Sequence, residues 1–172
     1  MNKSPEVLWA PWRKGYVIQP NENKVCLFCR VGKEKKDREN LVVLRSRTGY
    51  VILNRFPYNN GHLMVVPNRH VDNLSDLRAE EVPELFSMIE SAIEGLKETL
   101  NPEGFNLGIN LGKVAGAGIA GHIHIHVVPR WTGDTNFMPV VSGTKSLPDS
   151  LDSLYQNLSE GIGKIWQKKK KM

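Results

Sequence analysis

The spacing of apolar residues predicts the elements in turn. Leu41 to Leu44 and Tyr50 to Leu53 are short β-rich runs joined by Arg45-Ser46-Arg47-Thr48-Gly49, which reads as a hairpin. His62 to Val66 forms a third run after the turn Phe56-Pro57-Tyr58-Asn59-Asn60-Gly61, and Pro67 stops it. From about Ala79 to Leu100 the period changes. Val82, Leu85, Phe86, Ile89, Ile93, Leu96 and Leu100 recur at steps of three and four, the pattern of an amphipathic helix lying on a sheet. Ser75 or Asp76 offers a cap for its start, Pro83 fits only a first turn, and Asn101-Pro102 closes it. Phe105, Leu107, Ile109 and Leu111 then alternate, predicting a fourth strand over Phe105 to Leu111.

A fifth strand is predicted for Gly121-His122-Ile123-His124-Ile125-His126-Val127-Val128-Pro129-Arg130-Trp131. The period of two sends His122, His124 and His126 to one face and Ile123, Ile125 and Val127 to the other. Three of the five histidines in the chain therefore stand in a row. A polar loop runs on to Met138, Val140-Val141 is a short extended piece, and a second helix is expected from about Pro148 to Trp166, within residues 146–167. Upstream, Leu8 to Tyr16 is an aromatic, proline-punctuated arm packed on a surface, and the charged stretch Lys33 to Asn40 reads as a loop. Short connections between neighbouring strands favour an antiparallel sheet. The expectation is one α+β domain over residues 1–172, with about five strands, one long helix and a C-terminal helix.

Composition changes this picture little. The chain has 172 residues, 40% of them hydrophobic, enough for one good core. The net charge of +5 hints at nucleic acid, but four of the 23 basic residues are Lys168 to Lys171; without them 19 face 18 acids. Residues 168–172 read as a solvated basic tail, and nucleic-acid binding is not expected. With no apolar run of membrane-spanning length and no signal-peptide core, the expected location is the cytoplasm, with no membrane partner.

Two features carry chemistry beside the histidine row. Cys26 and Cys29 form a C-x-x-C; thioredoxin-type redox would need it at a helix start on a βαβ scaffold, and nothing around it reads that way. Gly116-Ala117-Gly118-Ile119-Ala120-Gly121 spells G-x-G-x-x-G, yet it precedes a strand and not a helix, which excludes the dinucleotide reading. Its glycines keep a weaker use, letting backbone amides approach phosphate oxygens. From the residues alone, the histidine row is either an imidazole metal platform or a nucleophile held by neighbouring imidazoles.

Asn54-Arg55-Phe56-Pro57-Tyr58-Asn59-Asn60-Gly61-His62, Pro67-Asn68-Arg69-His70 and His122-Ile123-His124-Ile125-His126-Val127-Val128 together resemble the histidine triad (HIT) family of nucleotide hydrolases and transferases. Trp9-Ala10-Pro11-Trp12-Arg13 and the run from Pro129-Arg130-Trp131 to Asn136-Phe137-Met138 resemble its Fhit-like branch, which acts on dinucleoside polyphosphates. The likeness spans about residues 9–138.

The resemblance implies a role for each position. His124 would attack the α-phosphorus and form a nucleotidyl-imidazole that water or phosphate resolves, with His126 and His62 orienting it and supporting the phosphates. Asn110 and the Gly116, Ala117 and Gly118 amides would meet non-bridging oxygens, Asn54 the ribose, and Leu53 and Phe56 the base. Cys26, Cys29, His70 and His122 would hold a structural zinc ion. Family members are two-fold dimers, which would bring Trp131 to the partner's nucleotide pocket. One departure stands out: other branches carry Ser or Thr just before the triad, where this chain has Gly118-Ile119, leaving the general acid open. Two rival readings also follow: a hydrolase whose three row histidines share one catalytic zinc, and a nucleotide-binding regulator with little turnover.

Overall fold

The computed structural model describes residues 25–119, 121–138, 141 and 147–171. The aromatic arm and Val140 lie outside them. The elements in chain order are α1 (Leu27–Lys33), α2 (Asp37–Asn40), β1 (Val42–Arg45), β2 (Gly49–Leu53), β3 (Leu63–Pro67), α3 (Glu81–Leu100), β4 (Gly104–Ile109), β5 (Ile125–Arg130) and α4 (Leu151–Lys169), with 3-10 turns at Leu74–Asp76 and Lys113–Ala115. The strands form one antiparallel sheet in the order β1-β2-β3-β5-β4. This is the α+β architecture expected. None of the described helices is long and apolar enough to cross a membrane.

Register decides what each face carries. Ile52 pairs with Met64 and Met64 with His126, so these three side chains form a row across β2, β3 and β5. The alternate positions Val51, Val65 and Ile125 form the neighbouring row on the opposite face. α3 lies against that second face: a Cβ at Gly49 would come within 2.8 Å of Met88 and 3.2 Å of Leu85. α4 crosses α3 so closely that a Cβ at Gly95 would collide with the side chain of Ile162. Leu85, Met88, Leu96, Leu158 and Ile162 are buried between the helices and the sheet. The first face is left for α1 and the histidines.

Several boundaries differ from expectation, each for a local reason. β5 starts at Ile125, because Ile123 donates its N–H to Val71 (2.7 Å) and so leaves the ladder early. β3 runs Leu63–Pro67, Pro67 being its last residue, and β4 stops at Ile109. Part of the expected loop at Lys33 to Asn40 is helical, since Asp37–Asn40 forms α2, closed by Leu41 in the left-handed region. α3 starts at Glu81 without a side-chain cap, because Ser75 and Asp76 are taken up in a 3-10 turn. Val82 and Phe86 are exposed, and Met88 and Ala92 occupy the buried stripe. Val141 is helical, donating to Phe137 O (3.0 Å), where an extended piece was expected. α4 begins at Leu151, capped by Ser150, and runs on through Lys169, which pairs with Glu90 (3.3 Å) and Glu94 (3.1 Å) on α3. The basic tail is therefore helical at its start, because α3 offers it two carboxylates.

The loop after β3 is clamped by Arg69. Its guanidinium meets both Glu81 carboxylate oxygens at 2.7 Å and the Asp76 carbonyl at 2.6 Å, and the Arg78 N–H donates to Glu81 at 2.8 Å. The Arg69 hydrogen bonds hold the Glu81 carboxyl down at about 2, against an ordinary 4.5. A depressed carboxyl stabilises the fold fully above pH 4.5 and ceases to as pH falls through 2. Glu81→Gln is expected to lower unfolding free energy at pH 7 by about 1–2 kcal/mol. Urea denaturation across pH 2 to 7 checks it: the variant's curve should lie below the wild type at neutral pH and meet it at the acid end.

Candidate active site

Each histidine of the site has one nitrogen fixed by a group that can bond in only one sense. His62, fully buried just before β3, receives the Tyr58 backbone N–H at its Nδ1 (3.1 Å). An N–H only donates, so the His62 proton is on Nε2, which donates to His126 Nδ1 at 2.9 Å. A neutral His126 then carries its proton on Nε2. His124 Nδ1 lies 2.9 Å from the His122 carbonyl, which only accepts, so Nδ1 holds the proton and Nε2 keeps a lone pair. Burial pushes the His124 pKa below its ordinary 6.5. The His124 and His126 rings stand 4.8 Å apart, almost perpendicular.

Both rings line a cavity of about 570 Å³. Leu53, Asn54 and Phe56 line it from the end of β2, Leu27, Phe28 and Val31 from α1, and Gly116, Gly118 and Ile119 from the glycine loop. Asn54 also works inside the chain, its Oδ1 accepting the Phe56 N–H (2.9 Å) and its Nδ2 lying 3.4 Å from His62 Nδ1. Asn110, Ala117 and Trp131 lie outside the lining. The Trp131 indole N–H donates to Asn101 O (3.2 Å), and its ring borders a separate cavity with Asn59 and Asn60.

On the other side of Phe28, ligand atoms of Cys26, Cys29, His70 and His122 all lie within 4.8 Å of one another, the metal-competent cluster that the described residues contain. His122 Nε2 donates to the Pro67 carbonyl (2.9 Å), which leaves the Nδ1 lone pair facing Cys26 Sγ (3.4 Å) and Cys29 Sγ (3.5 Å); His70 Nδ1 is 3.2 Å from Cys29 Sγ. A tetrahedral ion with bonds of about 2.0–2.3 Å separates its ligands by about 3.3–3.8 Å, and these three contacts, at 3.2–3.5 Å, are close to that spacing. With both nitrogens engaged here, His122 cannot join His124 and His126 around a shared ion. Contrary to expectation, the C-x-x-C does open a helix, Cys26 being the N-cap residue of α1. The thiols nonetheless face imidazoles, and the chain after α1 enters an antiparallel hairpin.

The HIT domain profile matches residues 35–133. The chain belongs to the HIT family. Over 152 residues, 84% of this chain and 77% of the relative, it is 43% identical to a protein named AP-4-A phosphorylase from Mycobacterium tuberculosis. It is 30% identical over 115 residues to the bis(5'-nucleosyl)-tetraphosphatase [asymmetrical] of Schizosaccharomyces pombe, covering 66% of this chain and 63% of that one. Among solved structures, a Zn-bound histidine triad family protein from Mycobacterium smegmatis superposes with a TM-score of 0.65 at 27% identity, over 83% of this chain and 96% of the other.

In this HIT chain the residues that sequence reasoning missed are Phe28 and Tyr58. Phe28 stands inside the quoted C-x-x-C, but its contact with two imidazoles depends on the α1 turn. Tyr58 acts through its backbone, which no side-chain pattern reports. The ring assignments are open to measurement. Long-range 15N–1H spectra at pH 8 should show His124 protonated on Nδ1 and His62 on Nε2, each as one tautomer; tautomer mixtures would contradict the assignment.

Proposed function

We propose that the chain cleaves dinucleoside polyphosphates of the diadenosine type at the α-phosphorus, with His124 as nucleophile. The observation that carries this reading is a neutral, buried His124 whose Nδ1 is tied to a carbonyl, so that the attacking lone pair is confined to Nε2 beside a nucleotide-sized cavity. The relatives' names, a phosphorylase and a tetraphosphatase, support the substrate class.

In the first step Nε2 bonds to the α-phosphorus while the P–O bond to the polyphosphate breaks, its electron pair leaving with that oxygen. His126, with its proton on Nε2 and His62 behind it, supports the phosphate oxygens. Of the glycine-loop positions, Gly118 lines the cavity and its amide serves the remaining oxygens; the Gly116 N–H is already given to Lys113 O (3.1 Å), and Ala117 and Asn110 stand outside the lining. The polyphosphate departs as an anion, so Gly118-Ile119 can stand where other branches have a hydroxyl. A phosphate or water oxygen then attacks phosphorus, and the P–N electron pair returns to Nε2. Diadenosine tetraphosphate gives ATP and ADP with phosphate, or ATP and AMP with water. Leu53 and Phe56 wall the base and Asn54 approaches the ribose; Phe56, 63% exposed, has room to close over it.

Cys26, Cys29, His70 and His122 would hold zinc, which in a closed set of four protein ligands supplies a structural tie and no reaction step. Two unpaired thiols suit the reducing cytoplasm. Among the described residues β4 is a sheet edge, with Leu107 53% exposed, which suits two-fold pairing with a second copy and would carry Trp131 towards the partner.

Two experiments test the reading. Intact-mass analysis after acid-free quenching with diadenosine tetraphosphate should show one added adenylyl group in the wild type and none in His124→Asn, with turnover lower by about 10³-fold or more. Products with and without phosphate identify the acceptor. Elemental analysis should find one zinc per chain, and Cys29→Ser should lose most of it with a lower Tm.

A further inference from the structure

We infer that Phe28 is a positioning residue for the nucleophile, holding the His124 ring in its attacking orientation and tying that orientation to the cysteine–histidine cluster. The inference rests on the nucleotidyl-histidine reading above. Phe28 is 2% exposed, and its ring centroid lies 5.0 Å from that of His124 and 5.5 Å from that of His122. One aromatic side chain thus touches both the attacking imidazole and a metal-competent one.

The placement of that ring is over-determined. The Phe28 carbonyl accepts the hydroxyl of the wholly buried Tyr50 (2.9 Å). Arg45 holds the far end of α1 by donating to the carbonyls of Val31 (2.9 Å), Gly32 (3.0 Å) and Glu34 (2.8 Å). At the near end, Cys26 and Cys29 meet His122 and His70. By contrast, the one hydrogen bond from His124 Nδ1 to the His122 carbonyl lets the imidazole swing about that bond. Phe28 on one side and His126 on the other, at 4.8 Å, close off the swing. Attack by Nε2 on phosphorus, with expulsion of the polyphosphate oxygen and its electron pair, demands alignment, and small angular errors are expensive in rate.

A residue that only walled the base would act on nucleotide affinity; a positioning residue acts on the rate of bond formation. Phe28→Leu and Phe28→Met both remove the flat ring and keep apolar volume. The expected result is adenylyl-enzyme formation slower by about 10- to 100-fold. Metal content should match the wild type, any loss of AMP affinity should be smaller than the loss of rate, and the 15N pattern of His124 should change from one tautomer to a mixture. An unchanged rate of adduct formation, or a loss confined to AMP affinity with the tautomer pattern intact, would overturn the inference. Metal loss in both variants would overturn it too, by making Phe28 a support of the cluster alone. If the wild type forms no adduct, the triad reading fails, while the nitrogen spectra still decide whether Phe28 orients His124.

Discussion

The site depends on hydrogen bonds that run in one direction only. A backbone carbonyl cannot donate and a backbone N–H cannot accept, so Pro67 O, His122 O and Tyr58 N each dictate the protonation of the ring that they touch. Three rings of one chemical type thereby acquire three duties. His122 presents Nδ1 to the thiols, His124 keeps a lone pair on Nε2, and His62 turns its proton-bearing side to His126. Side-chain partners such as carboxylates would leave those assignments open to titration. Backbone partners do not ionise, so while each ring is neutral its tautomer stays the same.

The fold delivers these backbone groups by register. His126 stands in the same cross-strand row as Ile52 and Met64, which aims its ring away from α3 and α4 and towards the cavity. A one-residue slip of β5 would send it into the helix-covered core. Further back, Arg69 and Glu81 fix the turn that carries His70, and the early departure of Ile123 from the ladder, to Val71, sets His122 against Pro67. α3 and α4 cover the opposite face and contribute little to the site.

Much of this was legible in the sequence, for identifiable reasons. Period-two alternation and the histidine row announced the sheet, and Leu85, Ile89 and Leu96 announced the helix stripe. Phe86 misled, because the sheet and α4 cover only part of the apolar arc of α3 and leave Phe86 exposed. The lysine tail misled because nothing local signals Glu90 and Glu94, which reach Lys169 from a helix many residues away. The grouping of Cys26, Cys29, His70 and His122 came from likeness to a family; no spacing rule links positions so far apart. Functions carried by backbone atoms, as at Tyr58 and Pro67, leave no trace in residue type.

α1 has seven residues, fewer than a helix needs to persist in water by its own hydrogen bonds. It exists because β1 lends it the Arg45 guanidinium at one end and the thiol pair anchors it at the other. One flank of the cavity is therefore borrowed structure, as durable as its two moorings. Weakening of either would surface first as fraying and proteolytic nicking between Leu27 and Lys33, while the sheet and its long helices stay intact.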